Sequence, residues 1–242
     1  MCLIVVGLNA TPRYRLLVAA NRDEQHARPS RAAAWWPDCP QILGGRDELA
    51  GGTWLAVDRH GRLAAVTNIR DVRPRGEVRS RGALAAEFLA GRESAERYTA
   101  GAAREGDRYG PFNLLLFDGA ELHYASNRAP TTRLEPGVHS LSNAPRDQDW
   151  PKVASARDGA LALLEHPEPL EPLFALLADR ALDAAADTRY RRAHFIVGPV
   201  YGTRCSTVVL IDAAGDLTFV ERSFDSGGRL VGEVREGFKL RD

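Results

Sequence analysis

The sequence is short of the residues from which many specialised folds are built. Its 242 residues include three Cys, at positions 2, 39 and 205. They show no paired spacing, which argues against a disulfide framework or a zinc-binding pattern. Met occurs once, so a pliable Met-lined binding surface is not expected. Of 32 basic residues only Lys152 and Lys239 are Lys; 32 acidic residues balance them to a formal net charge of +0. Such a chain has no field to gather nucleic acid or an anionic membrane surface. No apolar run approaches the ~20 residues that span a bilayer, and the N-terminus lacks the basic region and cleavage site of a signal peptide. A soluble protein in the reducing cytoplasm is the expectation. Gly-rich phosphate loops, the dinucleotide-binding fingerprint and the Gly-x-Ser-x-Gly elbow are also missing. Nucleotide cofactors and α/β-hydrolase chemistry are therefore not expected.

What is present reads as hairpins separated by helix pairs. Residues 2–8 and 15–20 form two buried strands joined by a turn around Asn9-Ala10-Thr11-Pro12, the second running into Asn21-Arg22-Asp23-Glu24. A loop rich in Pro and Trp follows, through Trp35-Trp36-Pro37-Asp38-Cys39-Pro40, and then a hairpin that turns at His60-Gly61 and ends at Asn68. The pattern is helical from Ser80 to about Arg104, with Gly91 dividing it. Strands are expected at 112–117, 122–126 and 138–143, and a helix from Trp150-Pro151 to about Glu165 with Asp149 as N-cap. A further helix covers 173–182, strands cover 194–197, 205–211 and 217–223, and the tail from Asp225 reads as peripheral. No linker or repeat divides the chain, so one domain over residues 1–242 is expected. The hairpin sets predict an α+β class in which two antiparallel sheets pack face to face with helices outside.

The candidate chemistry begins at Met1-Cys2. Removal of an initiator Met before a small residue leaves Cys2 with a thiol and a free α-amine on one carbon. An amine of reference pKa about 7.7–8.0 can serve as general base for the thiol beside it. Attack on a carbonyl then needs oxyanion donors, a group to orient the amine and a cation near the thiolate. Asn68 and Asn143 are neutral donors at strand ends, Asp23 is placed to accept from the amine, and Arg22 or Arg204 can stabilise the thiolate. Each also has a plain structural reading, as a turn former or a solvated strand edge.

Over nearly its whole length the chain resembles the NRDE family, also called the transport and Golgi organization protein 2 family. The resemblance rests on Met1-Cys2, Ala20-Asn21-Arg22-Asp23-Glu24, Arg28-Pro29, Gly51-Gly52-Thr53-Trp54-Leu55 and Ala65-Val66-Thr67-Asn68. It continues through Ser80-Arg81-Gly82, Phe112-Asn113-Leu114-Leu115, Leu141-Ser142-Asn143-Ala144, Trp150-Pro151-Lys152, Tyr201-Gly202-Thr203-Arg204 and Glu221-Arg222-Ser223. That family is similar in turn to the N-terminal nucleophile hydrolases, which implies a four-layer αββα sandwich. The penicillin V acylases and bile salt hydrolases are the functional comparison. Their Asn-Pro…Asp-Trp region is similar to Asn143-Ala144-Pro145…Asp149-Trp150, which implies an oxyanion role for Asn143. Their Leu-Asn strand end is similar to Thr67-Asn68, and their Arg before a Tyr-Ser strand resembles Arg204. They carry Arg-Asn-x-Asp where this chain has Ala20-Asn21-Arg22-Asp23. The Arg is displaced by two positions, on the same strand face but roughly 6–7 Å further along.

Two functions stay open at this level. One is a cysteine N-terminal hydrolase that cleaves an amide or related acyl bond in a small molecule, with Cys2, Asp23, Asn68, Asn143, Arg204 and Arg22 at the site and no cofactor or metal. The other is a non-catalytic carrier of haem, or of acyl-CoA or lipid, implied by the eukaryotic members of the family. In that reading Cys39-Pro40 is similar to the Cys-Pro dipeptide of haem-regulated proteins, and Cys39 is the candidate ligand. The ligand is a small molecule or a hydrophobic one in either case. Oligomeric state is not legible.

Overall fold

The computed structural model of the chain describes residues 2–69, 79–146, 148, 150–180 and 193–241. In chain order the elements are β1 (Leu3–Leu8), β2 (Tyr14–Gln25), β3 (Ser30–Trp36), β4 (Cys39–Asp47), β5 (Leu55–Asp58) and β6 (Leu63–Asn68). Helices α1 (Arg81–Ala90) and α2 (Ala95–Arg104) follow, then β7 (Phe112–Phe117), β8 (Leu122–Ser126), β9 (Thr132–Leu134) and β10 (Gly137–Leu141). Helices α3 (Pro151–Ala162) and α4 (Leu170–Leu177) precede β11 (Tyr201–Asp212), β12 (Asp216–Phe224) and β13 (Leu230–Lys239). The chain groups into two compact units, each assembled from non-contiguous stretches.

The first unit takes residues 1–27, 136–142 and 148–239. Its antiparallel sheet has the order β10-β1-β2-β11-β12-β13. The β1–β2 hairpin turns where expected, with Asn9 at φ 42, a left-handed conformation that Asn tolerates better than most residues. Pairing of Leu3 with Asn21, Val5 with Ala19, and Ala19 with Val208 sets Leu3, Val5, Leu17, Ala19, Val208 and Leu210 on one face. There they pack with Ala156 and Ala160 of α3 and with Leu173, Phe174 and Leu177 of α4. Each large side chain so buried contributes about 1.5–3 kcal/mol. The alternate residues Ile4, Val6, Leu16, Val18 and Val209 are buried as well. That is why these strands read as unbroken apolar runs rather than as alternations.

The second unit takes residues 28–135, 143–147 and 240–242. Its antiparallel sheet runs β3-β4-β5-β6-β7-β8-β9. Ile42, Ala56, Ala64, Val66, Leu114, Leu116 and Ala125 pack against Leu84, Ala85, Phe88 and Leu89 of α1 and Ala95 and Ala102 of α2. Gly91 ends α1 and Ser94 caps α2 through Arg97 N, the division expected from sequence. Asp118, in the β7–β8 turn, accepts from the N–H groups of Ala95, Ala120 and Glu121 at 2.9, 3.1 and 2.9 Å. One carboxylate thus closes the turn and satisfies an orphan donor at the start of α2. Among the described residues, the two sheets and four α-helices give the α+β class that the hairpin sets predicted.

Several local expectations are corrected. The stretch through Trp35-Trp36-Pro37-Asp38-Cys39-Pro40, read as a Pro- and Trp-rich loop, lies in the β3–β4 hairpin. The hairpin's glycines serve packing rather than turning: a Cβ on Gly44 would lie 2.5 Å from Ala56 Cβ, and one on Gly45 would lie 2.0 Å from the Trp54 ring. Residues 194–197 do not form a strand. His194 and Phe195 both donate to Asp179 O, and Ile196 exchanges bonds with Thr203 instead. The tail from Asp225 carries β13, paired along β12 from Asp216–Lys239 to Phe224–Leu230. Helix α4 begins at Leu170 and admits Pro172 in its first turn, where no intrahelical N–H is needed. The expected N-cap Asp149 and the helix end at 181–182 lie outside the described residues, and Trp150 holds the cap position of α3.

Candidate active site

Four of the six residues expected at the centre meet in the first unit, at one end of its sheet. Cys2 precedes Leu3, which pairs with Asn21, so Cys2 falls on the strand face of Arg22 rather than that of Asn21 and Asp23. Across β2 on the other side, Cys205 pairs with Arg22. Arg22 is buried, and its charge acts on both thiols. Its displacement by two positions keeps it at the Cys2 end of the sheet.

Thr203 pairs with Asp23 and Cys205 with Arg22, which leaves Arg204 as the extra residue of a β-bulge. Bulges re-aim side chains next to functional sites. Here Arg204 Nη1 donates to Gln25 O at 3.0 Å and His26 O at 3.2 Å. Burial, and then the like charge of Arg22, lower its pKa. Asp23 is fixed from two directions. Its Oδ1 accepts from Thr203 Oγ1 at 2.6 Å, and its backbone O accepts from Tyr201 Oη at 3.0 Å. Cys2 Sγ approaches the same backbone O at 3.9 Å.

The thiols differ in role. Burial pushes the Cys2 thiol up, the charge of Asp23 adds to this, and Arg22 opposes it. Cys205 is held well above the ordinary range, first by burial and then by Glu221, to which it also hydrogen-bonds. Glu221 is 1% exposed and accepts from Thr207 Oγ1 at 3.2 Å. Cys205 is a packed, protonated thiol. Cys2 is half-buried and needs a base to become a nucleophile at neutral pH.

Two residues that sequence reasoning did not single out hold Cys2 in place. Ser142 Oγ donates to Cys2 O at 2.6 Å, and Lys152 Nζ donates to the same oxygen at 3.2 Å. Lys152 sits in the first turn of α3 and is 1% exposed, a rare state for a Lys. Its rarity in the sequence was a usable signal. Lys152 is one of two Lys in a chain whose other basic residues are all Arg, and unlike the exposed Lys239 it is buried.

Asn68 and Asn143 form a separate pair within the second unit. Asn143 is buried, and its Nδ2 donates to Asn68 O at 2.6 Å. Its Oδ1 has no hydrogen-bond partner among the described residues. The Asn68 side chain is exposed at the end of β6. Neighbouring Asn113 is fully buried and saturated: Nδ2 donates to Thr67 Oγ1 and Ala144 O, and Oδ1 accepts from Tyr124 Oη. Asn113 therefore shapes the segment that carries Asn143. Cys39 opens β4 and packs against the cluster of Trp36 and α1, with burial raising its thiol pKa. No group of three or more His, Cys, Asp or Glu among the described residues could hold a metal ion. No helix among them is long and apolar enough to cross a membrane.

Comparison with known proteins follows from this geometry. The family described as Transport and Golgi organisation 2 matches residues 1–226. The Transport and Golgi organization protein 2 homolog of Bos taurus is 35% identical over 257 residues, covering 92% of this chain and 93% of that one. The homolog of Homo sapiens is 34% identical, with the same coverage of 92% and 93%. The Drosophila melanogaster protein is 26% identical over 92% of each chain. Among solved structures, a Caenorhabditis elegans ortholog of N-acylethanolamine-hydrolyzing acid amidase has a TM-score of 0.49 at 11% identity, over 86% of this chain and 92% of that one. A mutant of the conjugated bile acid hydrolase from Clostridium perfringens has a TM-score of 0.47 at 11% identity, over 100% and 97%.

Proposed function

The chain belongs to the Transport and Golgi organisation 2 family, and on that premise we propose that it is an N-terminal-cysteine hydrolase of an amide or related acyl bond in a small molecule. The observation that carries this reading is the setting of Cys2: a half-buried thiol flanked by buried Arg22 and Asp23 at the end of a rigid sheet. Buried charges of both signs are costly, and perturbed titratable groups gather at functional sites. Cys205 shares Arg22 but is buried, whereas Cys2 is partly open to a substrate.

In the proposed reaction Met1 has been removed and Cys2 carries a free amine. The thiol proton passes to that amine as Sγ bonds to the substrate carbonyl carbon. The tetrahedral intermediate collapses when the leaving amine takes the proton back, and a thioester remains on Cys2. Water, deprotonated by the same amine, then releases the acid and restores the thiol. Arg22 favours the developing thiolate, while Asp23, held by Thr203, orients the amine. Oxyanion donation is the role that the family resemblance gives Asn143; Asn68 is a candidate for it as a neutral donor at a strand end.

The test is turnover of a panel of N-acyl amides, with the acyl group trapped on the protein at low pH. The expected result is a hydroxylamine-sensitive acyl group on Cys2, and loss of at least about 10³-fold in kcat for Cys2→Ala. Stoichiometric retention of ligand without release, unchanged by Cys2→Ala, would instead support a carrier.

A further inference from the structure

We infer that Lys152 is a positioning residue of electrostatic kind: its ammonium, bound to the Cys2 carbonyl, keeps the Cys2 α-amine in its free-base form at neutral pH. The inference rests on the reading that Cys2 becomes the first residue and uses its amine as base.

The geometry supplies the reason. Lys152 Nζ lies 3.2 Å from Cys2 O, on a side chain only 1% exposed. The nitrogen and carbonyl oxygen of one residue are about 3 Å apart, which puts the Lys152 charge within roughly 6 Å of the amine. A like charge at that range disfavours the protonated amine and so lowers its pKa. The reference value of about 7.7–8.0 would leave most amines protonated at neutral pH and useless as bases. Because burial holds the Cys2 thiol in its protonated form, the base must be free before attack.

Other charged and titratable groups face the same point. Arg22 on β2 acts in the same direction as Lys152, Asp23 on β2 acts against both, and Cys205 on β11 is a neutral thiol. Ser142 shares the acceptor with Lys152 at 2.6 Å and carries no charge. Two donors on one carbonyl, one charged and one neutral, separate anchoring from electrostatics.

The experiment follows acetylation of the terminal amine by acetic anhydride against pH, by mass spectrometry of the first peptide. It is done in a Cys2→Ser background, where no thiol competes. With Lys152 present the midpoint is expected below that of a free peptide amine. Lys152→Gln should raise it, Lys152→Arg should restore it, and Ser142→Ala should leave it unchanged. An unshifted midpoint in the Lys152-containing chain, or equal midpoints for Gln and Lys at position 152, would overturn the inference. If the Gln variant does not fold, Lys152→Met takes its place, and a midpoint equal to that of the Lys152-containing chain would overturn the inference. Detection of Met1 on the first peptide would overturn the parent reading instead, and the two failures are read separately.

Discussion

The two units share a plan, an antiparallel sheet with a helix pair, but they bury different kinds of polar group. In the first, Arg22, Asp23, Lys152 and Glu221 are each at most 6% exposed. In the second, the buried polar residues are nearly all uncharged: Thr53, Thr67, Thr99, Asn113, Ser126 and Asn143. Its buried carboxylate Asp58 accepts from the N–H groups of His60 and Arg62 in a tight turn. Neutral hydrogen-bonded groups specify a fold at small net cost, whereas buried charges weaken it unless fully compensated. The difference teaches that the second unit spends its polar residues on architecture, and the first concentrates cost around Cys2, as a site for chemistry would.

That contrast can be broken or sharpened by experiment. The largest effect is expected in the neutral network. Asn113→Ala removes two donations and one acceptance from a fully buried position, and chemical denaturation should show a loss of about 2–4 kcal/mol. A loss below about 1 kcal/mol would remove the architectural half of the contrast.

A smaller effect is expected at Asp118. Burial resists its ionisation, but bonds from Glu121, Ala95 and Ala120 outweigh this and hold its pKa below the ordinary value. The folded pKa lies below the unfolded one, so this stabilisation is complete above about pH 4 and fades as pH falls through the folded value. Asp118→Ala should cost about 1 kcal/mol at pH 7 and less at pH 3, as thermal melts at the two pH values would show. An equal cost at both would mean that the carboxylate charge contributes nothing.

The smallest stability effect is expected at the centre itself. The Cys2 thiol has a 3.9 Å approach to Asp23 O, so Cys2→Ala should change stability by less than about 1 kcal/mol. Loss on the scale of Asn113→Ala would recast Cys2 as a packing residue.

Much of this was legible in the sequence because the strands at its centre are buried on both faces and announce themselves as apolar runs. The polar residues at their ends, Asn21-Arg22-Asp23 and Asn68, stood out by contrast. The β3–β4 hairpin was not legible, since the Pro and Trp residues through Pro40 read as a loop, and Gly44 and Gly45 make room for Ala56 and Trp54 only once the strands are paired. Nor was β13, whose alternating exposed residues carry little apolar signal. At the site, residue types pointed to Cys2, Arg22, Asp23 and Arg204. The bulge that re-aims Arg204 and the reach of Lys152 to a backbone carbonyl depend on register and helix placement, which no local pattern encodes.

The central claim is that Cys2 is the terminal, reactive residue of the chain. Intact-mass measurement combined with an acyl-type thiol probe at pH 7.5 tests it most directly. The account predicts loss of Met1 and one label, on Cys2, with Cys205 unlabelled because burial and Glu221 keep it protonated. Retention of Met1, or labelling that prefers Cys39 or Cys205, would contradict it.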